Sequence, residues 1–264
     1  MFWWESELDD CHAELMGVIH ELNNNHYDRM IANLEHLRVY SQRTYSLEDF
    51  RQGVVKSAGY SMHRKDDMKM RLNVTQSMID TITSKIGKNR PRPMYLTEGG
   101  DYALRNKAKM MGRMMEGLFM QTKLYEVMPK IFQDSCIFDL GVLKIYQESG
   151  KIYVERVFAN EMLWDMDDAL YGEPQNLYQV KKVHKSFLLD RFPGFANQIN
   201  SFGSSKQYET EDSDMMECVE AWHLPTSPTS GDGRHVICIE NVTLVDEEYT
   251  RSQFPFLFLK WSDS

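Results

Sequence analysis

Three closely spaced carboxylates, Asp165, Asp167 and Asp168, are the first group in this 264-residue chain whose types and spacing suit chemistry. Clustered carboxylate oxygens are what hard cations such as Mg²⁺ and Ca²⁺ take as ligands. No further ligand set accompanies them, and the segment lacks the glycine that an EF-hand loop needs, so Trp164 to Asp168 reads instead as a turn, with Asp168-Ala169 able to start a helical turn. His12, His20, His26 and His36 are expected to be exposed, and none stands in an H-E-x-x-H arrangement. Lys88, Arg90 and Arg92 crowd three cations into K-N-R-P-R-P, which would suit a phosphate or a solvated surface. The cysteines, Cys11, Cys136, Cys218 and Cys238, form no C-x-x-C pair, which points to free buried thiols and neither a zinc ribbon nor a redox pair. Nucleophile elbow, P-loop, dinucleotide, zincin and deaminase patterns do not occur. The chain is therefore expected not to be an enzyme, and no catalytic, cofactor-binding or metal residue is assigned.

The elements that would position such groups follow from periodicity. Leu8, Cys11, Leu15, Val18, Ile19 and Leu22 share one helix face, with Ser6 as its cap. Asn23 to Asn25 is expected to break it, so that a second helix carrying Tyr27, Met30, Ile31, Leu34 and Leu37 completes an antiparallel hairpin. Ser46 to Phe50 predicts a short helix, and Gly53 and Gly59 loosen the chain after it. A further helix is expected from Asp66 or Asp67 to Ile86, stopped by Gly87, and K-N-R-P-R-P is then extended. Asp101 opens the longest helix, in which Leu104, Ala108, Met111, Met115, Leu118, Thr122 and Tyr125 form a seam until Pro129 ends or kinks it. A helical segment then reaches Gly141. Val142 to Tyr146 and Ile152 to Phe158 predict a β-hairpin whose turn uses Ser149-Gly150. Tyr178 to Lys185 predicts a strand, followed by a helix capped by Ser186 and limited near Phe192-Pro193, and Asn200 to Asp214 a loop. Met216 to Leu224, His235 to Glu240 and Val242 to Val245 predict an antiparallel meander. The fold class is α+β, with an N-terminal helical region over 1-62 and a mixed region over 63-264.

Apolar content of 42% and charged content of 26% suit a packed globular chain. No window of about 18 apolar residues predicts a membrane span, and the N-terminus lacks a basic signal-peptide region, so an intracellular origin is expected. The net charge of -9 argues against a surface coated in nucleic acid. Its distribution is uneven: 14 Lys/Arg stand against 7 Asp/Glu between His63 and Lys130, and 16 against 32 elsewhere. Either these are solvated helix faces, or opposite patches meet across a boundary between copies.

From Asn73 to Trp261 the chain resembles the portal (head-to-tail connector) proteins of tailed bacteriophages, short-tailed ones most. The resemblance rests on N-R-P at Asn89 to Pro91, a long helix leading into Asp134 or Asp139 near Gly141, and Leu143-Lys144-Ile145. It continues through E-R-V-x-A-N-E ahead of Trp164-Asp165, K-x-x-H-K into Arg191 to Pro193, V-E-A-W-H at Val219 to His223, G-R-H-V at Gly233 to Val236, and Phe254 to Phe256. It implies a wing-like α+β portion of a structural subunit that forms a homo-oligomeric ring, typically of twelve, at one capsid vertex. Implied partners are the terminase large subunit, capsid and scaffold proteins and tail adaptor proteins. Double-stranded DNA would pass through the channel without sequence-specific binding, and no membrane is involved. The implied location is the virion, with the host cytoplasm during assembly. The apolar run Phe254 to Trp261, so near Ser264, reads as part of a longer reading frame, with the stem and clip expected beyond it.

Two alternatives remain: a metal-dependent phage nucleic-acid enzyme using Asp165, Asp167 and Asp168, and a non-ring interaction module that dimerises through the helix Asp101 to Met128.

Overall fold

The computed structural model describes residues 2–6, 11–45, 47, 50, 57–60 (backbone), 72–97, 99–170, 172–201, 215–227 and 229–261. Among them the chain is α+β, with seven α-helices, a five-stranded and a three-stranded antiparallel sheet, and a two-stranded pairing of β1 (Arg43–Tyr45) with β2 (Ser57–Tyr60). It divides into two units, Met1–Leu34 with Tyr45–Gly59 and Asn160–Phe254, and Glu35–Thr44 with Tyr60–Ala159 and Pro255–Ser264.

The first unit is built on the sheet β5 (Met162–Leu163), β6 (Asn176–His184), β7 (Met215–His223), β8 (Arg234–Ile239) and β9 (Val242–Glu248), paired in that order. Strand alternation sends successive side chains to opposite faces. Val236 and Cys238 therefore join Cys11, Leu15 and Ile19 of α1 (Cys11–Asn25) in one core, while Ile239 joins Leu188 and Ile199 in another. Leu188 and Ile199 belong to the short helices α6 (Lys185–Arg191) and α7 (Ala196–Ser201). Arg234 ties the N-terminal segment to the sheet: its guanidinium donates to the Trp3 and Ser6 carbonyls and pairs with Asp246 at 2.7 Å.

The second unit packs α5 (Leu124–Phe138) on the sheet β10 (Phe256–Lys260), β3 (Leu140–Glu148) and β4 (Lys151–Val157), whose core includes Ile131, Phe138, Val142 and Val157. Glu148 pairs with Lys151, which leaves Ser149-Gly150 as a two-residue turn with φ of 49° and 77°, the sign pattern that a twisted hairpin favours. The run Phe254 to Trp261 supplies the third strand, with Phe256 opposite Lys144.

Several expectations are corrected. The two N-terminal helices are no hairpin: α2 (Tyr27–Ser41) follows α1 after His26 alone, and the ladder continues through His26 N–H to Leu22 and Met30 N–H to His26. Asparagine disfavours helix by only tenths of a kcal/mol, about 0.7 at most, so Asn23 to Asn25 remain helical under tertiary packing. Ser6 donates its hydroxyl to the Trp3 carbonyl, and residues 7–10 lie outside the described set, as do Ser46, Glu48 and Asp49 of the predicted short helix and most of the loop Asn200 to Asp214. Gly59 lies in β2. Asp66 and Asp67, where a helix is expected to start, lie outside the described residues; the described helix is α3 (Val74–Lys88), which Asn73 caps by accepting from the Gln76 N–H at 2.9 Å and which runs through Gly87. Asp101 does cap α4 (Tyr102–Gln121), accepting from Leu104 at 2.9 Å. The interruption then falls at Thr122-Lys123, where Lys123 has φ of 55°, and Pro129 lies inside α5. That helix ends at Phe138, three residues short of Gly141. His184, not Ser186, caps α6, its Nδ1 accepting from the Ser186 N–H.

Candidate functional site

The carboxylate turn is held by its own backbone. Asp165 Oδ1 accepts from the Asp167 N–H at 2.9 Å, and Asp168 Oδ2 from the Gln175 N–H at 2.7 Å. Short acidic side chains bond to nearby amides in this way at turns. Among the described residues no group of three His, Cys, Asp or Glu side chains is placed to hold a metal. The four cysteines are free, with Cys11, Cys218 and Cys238 buried and Cys136 half-buried. Burial raises their thiols at Cys11, Cys136 and Cys238, which suppresses thiolate chemistry.

Next to that turn lies a polar cluster the sequence reading missed. His26, expected exposed, is buried, with Nε2 2.6 Å from the Trp164 carbonyl oxygen. The Arg29 guanidinium sits 4.3 Å from the centre of the Trp164 ring and donates to the Met162 carbonyl at 2.6 Å, while Asn33 donates to Asn160. Burial lowers Arg29 to about 10. Burial first, then the Arg29 charge, pushes His26 down to about 4. The W-D and N-E motifs are thus positioned by α1 and α2 as packing devices. Because the folded imidazole stays neutral, the unfolded chain takes up its proton first. Stability is therefore lost as pH falls from the ordinary histidine value toward 4, by roughly 3 kcal/mol in full. Urea unfolding between about pH 7 and pH 4 should show this slope, and His26→Gln should remove it; equal slopes would refute a buried neutral imidazole.

On the other unit-one motif, G-R-H-V, His235 stacks on Trp222 with ring centres 5.2 Å apart and lies between Glu247 at 2.7 Å and Glu220 at 3.1 Å. Burial depresses His235, but the two carboxylates outweigh it and raise the ring above its ordinary value. Both ring nitrogens are engaged, so the arrangement ties β7, β8 and β9 together through side chains.

The surface that stands out is helical. α3 and α4 contain no buried residue, although both carry apolar stripes. Met78 and Ile86 of α3, Met110, Met114 and Met120 of α4, and Leu96 between them are exposed. Helices of this length take most of their stability from a packed face, and exposed apolar stripes on them mark surface available for interaction. The predicted seam is only partly covered: Met115 and Leu118 are half-buried, Leu104 and Met111 exposed. The cations of K-N-R-P-R-P are used locally, with Arg92 paired to Glu116 at 3.3 Å and Arg90 5.7 Å over the Tyr125 ring. Tyr125 also donates to the Pro91 carbonyl and fixes this extended segment against α5. Arg105, Lys107, Lys109 and Arg113 of α4 have no ion-pair partner among the described residues.

No helix among the described residues is long and apolar enough to cross a membrane. No protein-family model and no curated protein matches the sequence.

Proposed function

We propose that this chain contributes the wing region of a phage portal subunit, one copy of a ring at the capsid vertex that surrounds the DNA conduit and offers docking surface to terminase and tail proteins. The observation that carries the reading is the ordered series of motifs from Asn89 to Phe256, which spans the second unit's hairpin and the first unit's meander. It is supported by the unburied α3 and α4, since a ring subunit must keep lateral surface free until neighbours cover it. The work of such a protein is mechanical, and ATP hydrolysis would belong to its terminase partner. The same helices also favour a second reading, a non-ring module that dimerises through α4.

Native mass and negative-stain imaging of the complete gene product at micromolar concentration separate the two. Rings of about twelve copies with a central hole are expected, because head-to-tail contacts close into cyclic assemblies. A discrete two-fold dimer would replace the portal reading by the interaction module.

A further inference from the structure

We infer that the exposed face of α4 binds the acidic turn Asp165 to Leu170, together with Glu173, of a second copy of this chain, head to tail. The inference rests on the self-association proposed above and names its contact.

The helix face is defined by spacing. Lys107, Met110, Met114 and Gly117 follow one another at intervals of three and four, and Arg113 stands three residues after Met110 and four before Gly117, so all five share one side of α4. All five project from a helix without a buried residue, and space around Gly117 is open to the limit of van der Waals contact. The face is therefore a methionine stripe flanked by cations, with a low point at Gly117 where another chain can approach closely. Methionine side chains adapt to whatever covers them.

The loop presents the converse chemistry. Asp165, Asp167, Asp168 and Glu173 are exposed, and between them stand two exposed apolar side chains, Met166 at 47% and Leu170 at 67%. The turn hydrogen bonds of Asp165 and Asp168 hold this surface in a defined shape before anything binds. An acidic loop with two apolar projections matches a basic helix with an apolar stripe both in sign and in pattern, and complementary charge sets register and excludes wrong partners.

Charge also selects the surface that α4 meets. Laying α4 against α4 of another copy would bring Lys107 and Arg113 of both copies together, whereas α4 against the loop brings opposite charges together. The uneven charge of the chain, basic from His63 to Lys130 and acidic elsewhere, has the same polarity.

The test uses two variants of the full protein. Lys107→Glu with Arg113→Glu reverses the helix face, and Asp167→Lys with Glu173→Lys reverses the loop. None of these four side chains makes a described internal ion pair, and circular dichroism would confirm that each variant is folded. Each variant alone should associate at least about tenfold more weakly than wild type in sedimentation velocity. An equimolar mixture should assemble again, because the reversed helix of one finds the reversed loop of the other and the two native faces also meet. A mixture that stays dissociated, or a variant that assembles alone as wild type does, overturns the inference. Wild-type rings that ignore all four substitutions would remove this contact and leave the portal reading standing. Salt-sensitive, non-ring wild-type oligomers rescued by mixing would keep the contact and remove the portal reading. A wild-type chain that stays monomeric at about 100 μM overturns the contact outright.

Discussion

Gly141→Ala is expected to destabilise the second unit by about 3 kcal/mol or more, and Gly141→Val to prevent its folding. The chain leaves α5 at Phe138, reverses through Asp139 at φ of 62°, and runs back as β3 close against the helix it has just left. At Gly141 the two backbones touch. A Cβ there would overlap the Ile131 carbonyl oxygen and lie 2.8 Å from Ile131 Cγ2. The carbonyl belongs to the ladder of α5 and Ile131 is buried in the core, so neither can move without disrupting helix or sheet packing. Strand β10 holds the other side, with Leu259 opposite Gly141. Gly150→Ala is the control. A side chain at Gly150 meets nothing within 4 Å, so the substitution there costs only the positive φ, about 1 kcal/mol. Urea unfolding of the two variants should differ by at least about 2 kcal/mol. Equal losses would mean that the helix and strand do not approach as closely as described.

The sequence pattern made the hairpin, the meander and the start of α4 legible because each is specified locally. Alternation over Ile237, Cys238 and Ile239 sorts side chains to two faces, Ser149-Gly150 supplies its own turn, and Asp101 caps with its own side chain. Apart from the caps Asn73 and His184, which are local, the larger departures are tertiary. Seven seam positions without a slip predict one helix through Tyr125, yet the chain breaks at Lys123, a residue with no turn signature. Pro129 is a helix breaker in isolation, but here its ring packs against Gly87 of α3, with Cγ 3.3 Å from where a Cβ would stand, and the helix continues. His26 belongs to a polar run by local composition and is buried only because Trp164, far away in sequence, closes over it. The helix face proposed for docking is the reverse case. Periodicity correctly gave α4 a stripe, but it could not say whether that stripe would meet a partner inside the same chain. The division into two interleaved units is equally invisible to local pattern, since it depends on which distant strands pair.

Arg156→Ala should be about as damaging as Gly141→Ala, and more damaging than Asp134→Asn at the same ion pair. The Asp134 carboxylate is 3% exposed, and Arg156 grips both its oxygens, Nε to Oδ2 at 2.5 Å and Nη2 to Oδ1 at 2.6 Å. Arg156 itself is 44% exposed. Removing the arginine strands a buried charge, which costs about 3 kcal/mol, whereas removing the carboxylate charge leaves a guanidinium that water can still reach. The asymmetry has a pH signature. Burial raises the Asp134 carboxyl above its ordinary value, against the hydrogen bonds and charge of Arg156 that lower it. The folded state therefore holds the Asp134 proton longer than the unfolded state does, and the group's favourable contribution, complete at low pH, is lost as pH rises through the folded value. Without Arg156 only the raising effect remains, so the deficit of Arg156→Ala should be greatest near neutrality and narrow on acidification, as the stranded carboxylate takes up a proton. Asp134→Asn, with no proton to gain, should show a deficit that does not narrow in this way. Denaturant midpoints for both variants from about pH 4 to pH 7 would reveal the difference. A pH-independent loss in Arg156→Ala would mean that the arginine acts through the packing of its aliphatic stem on β3 and α5, and not as the counter-charge of a buried acid.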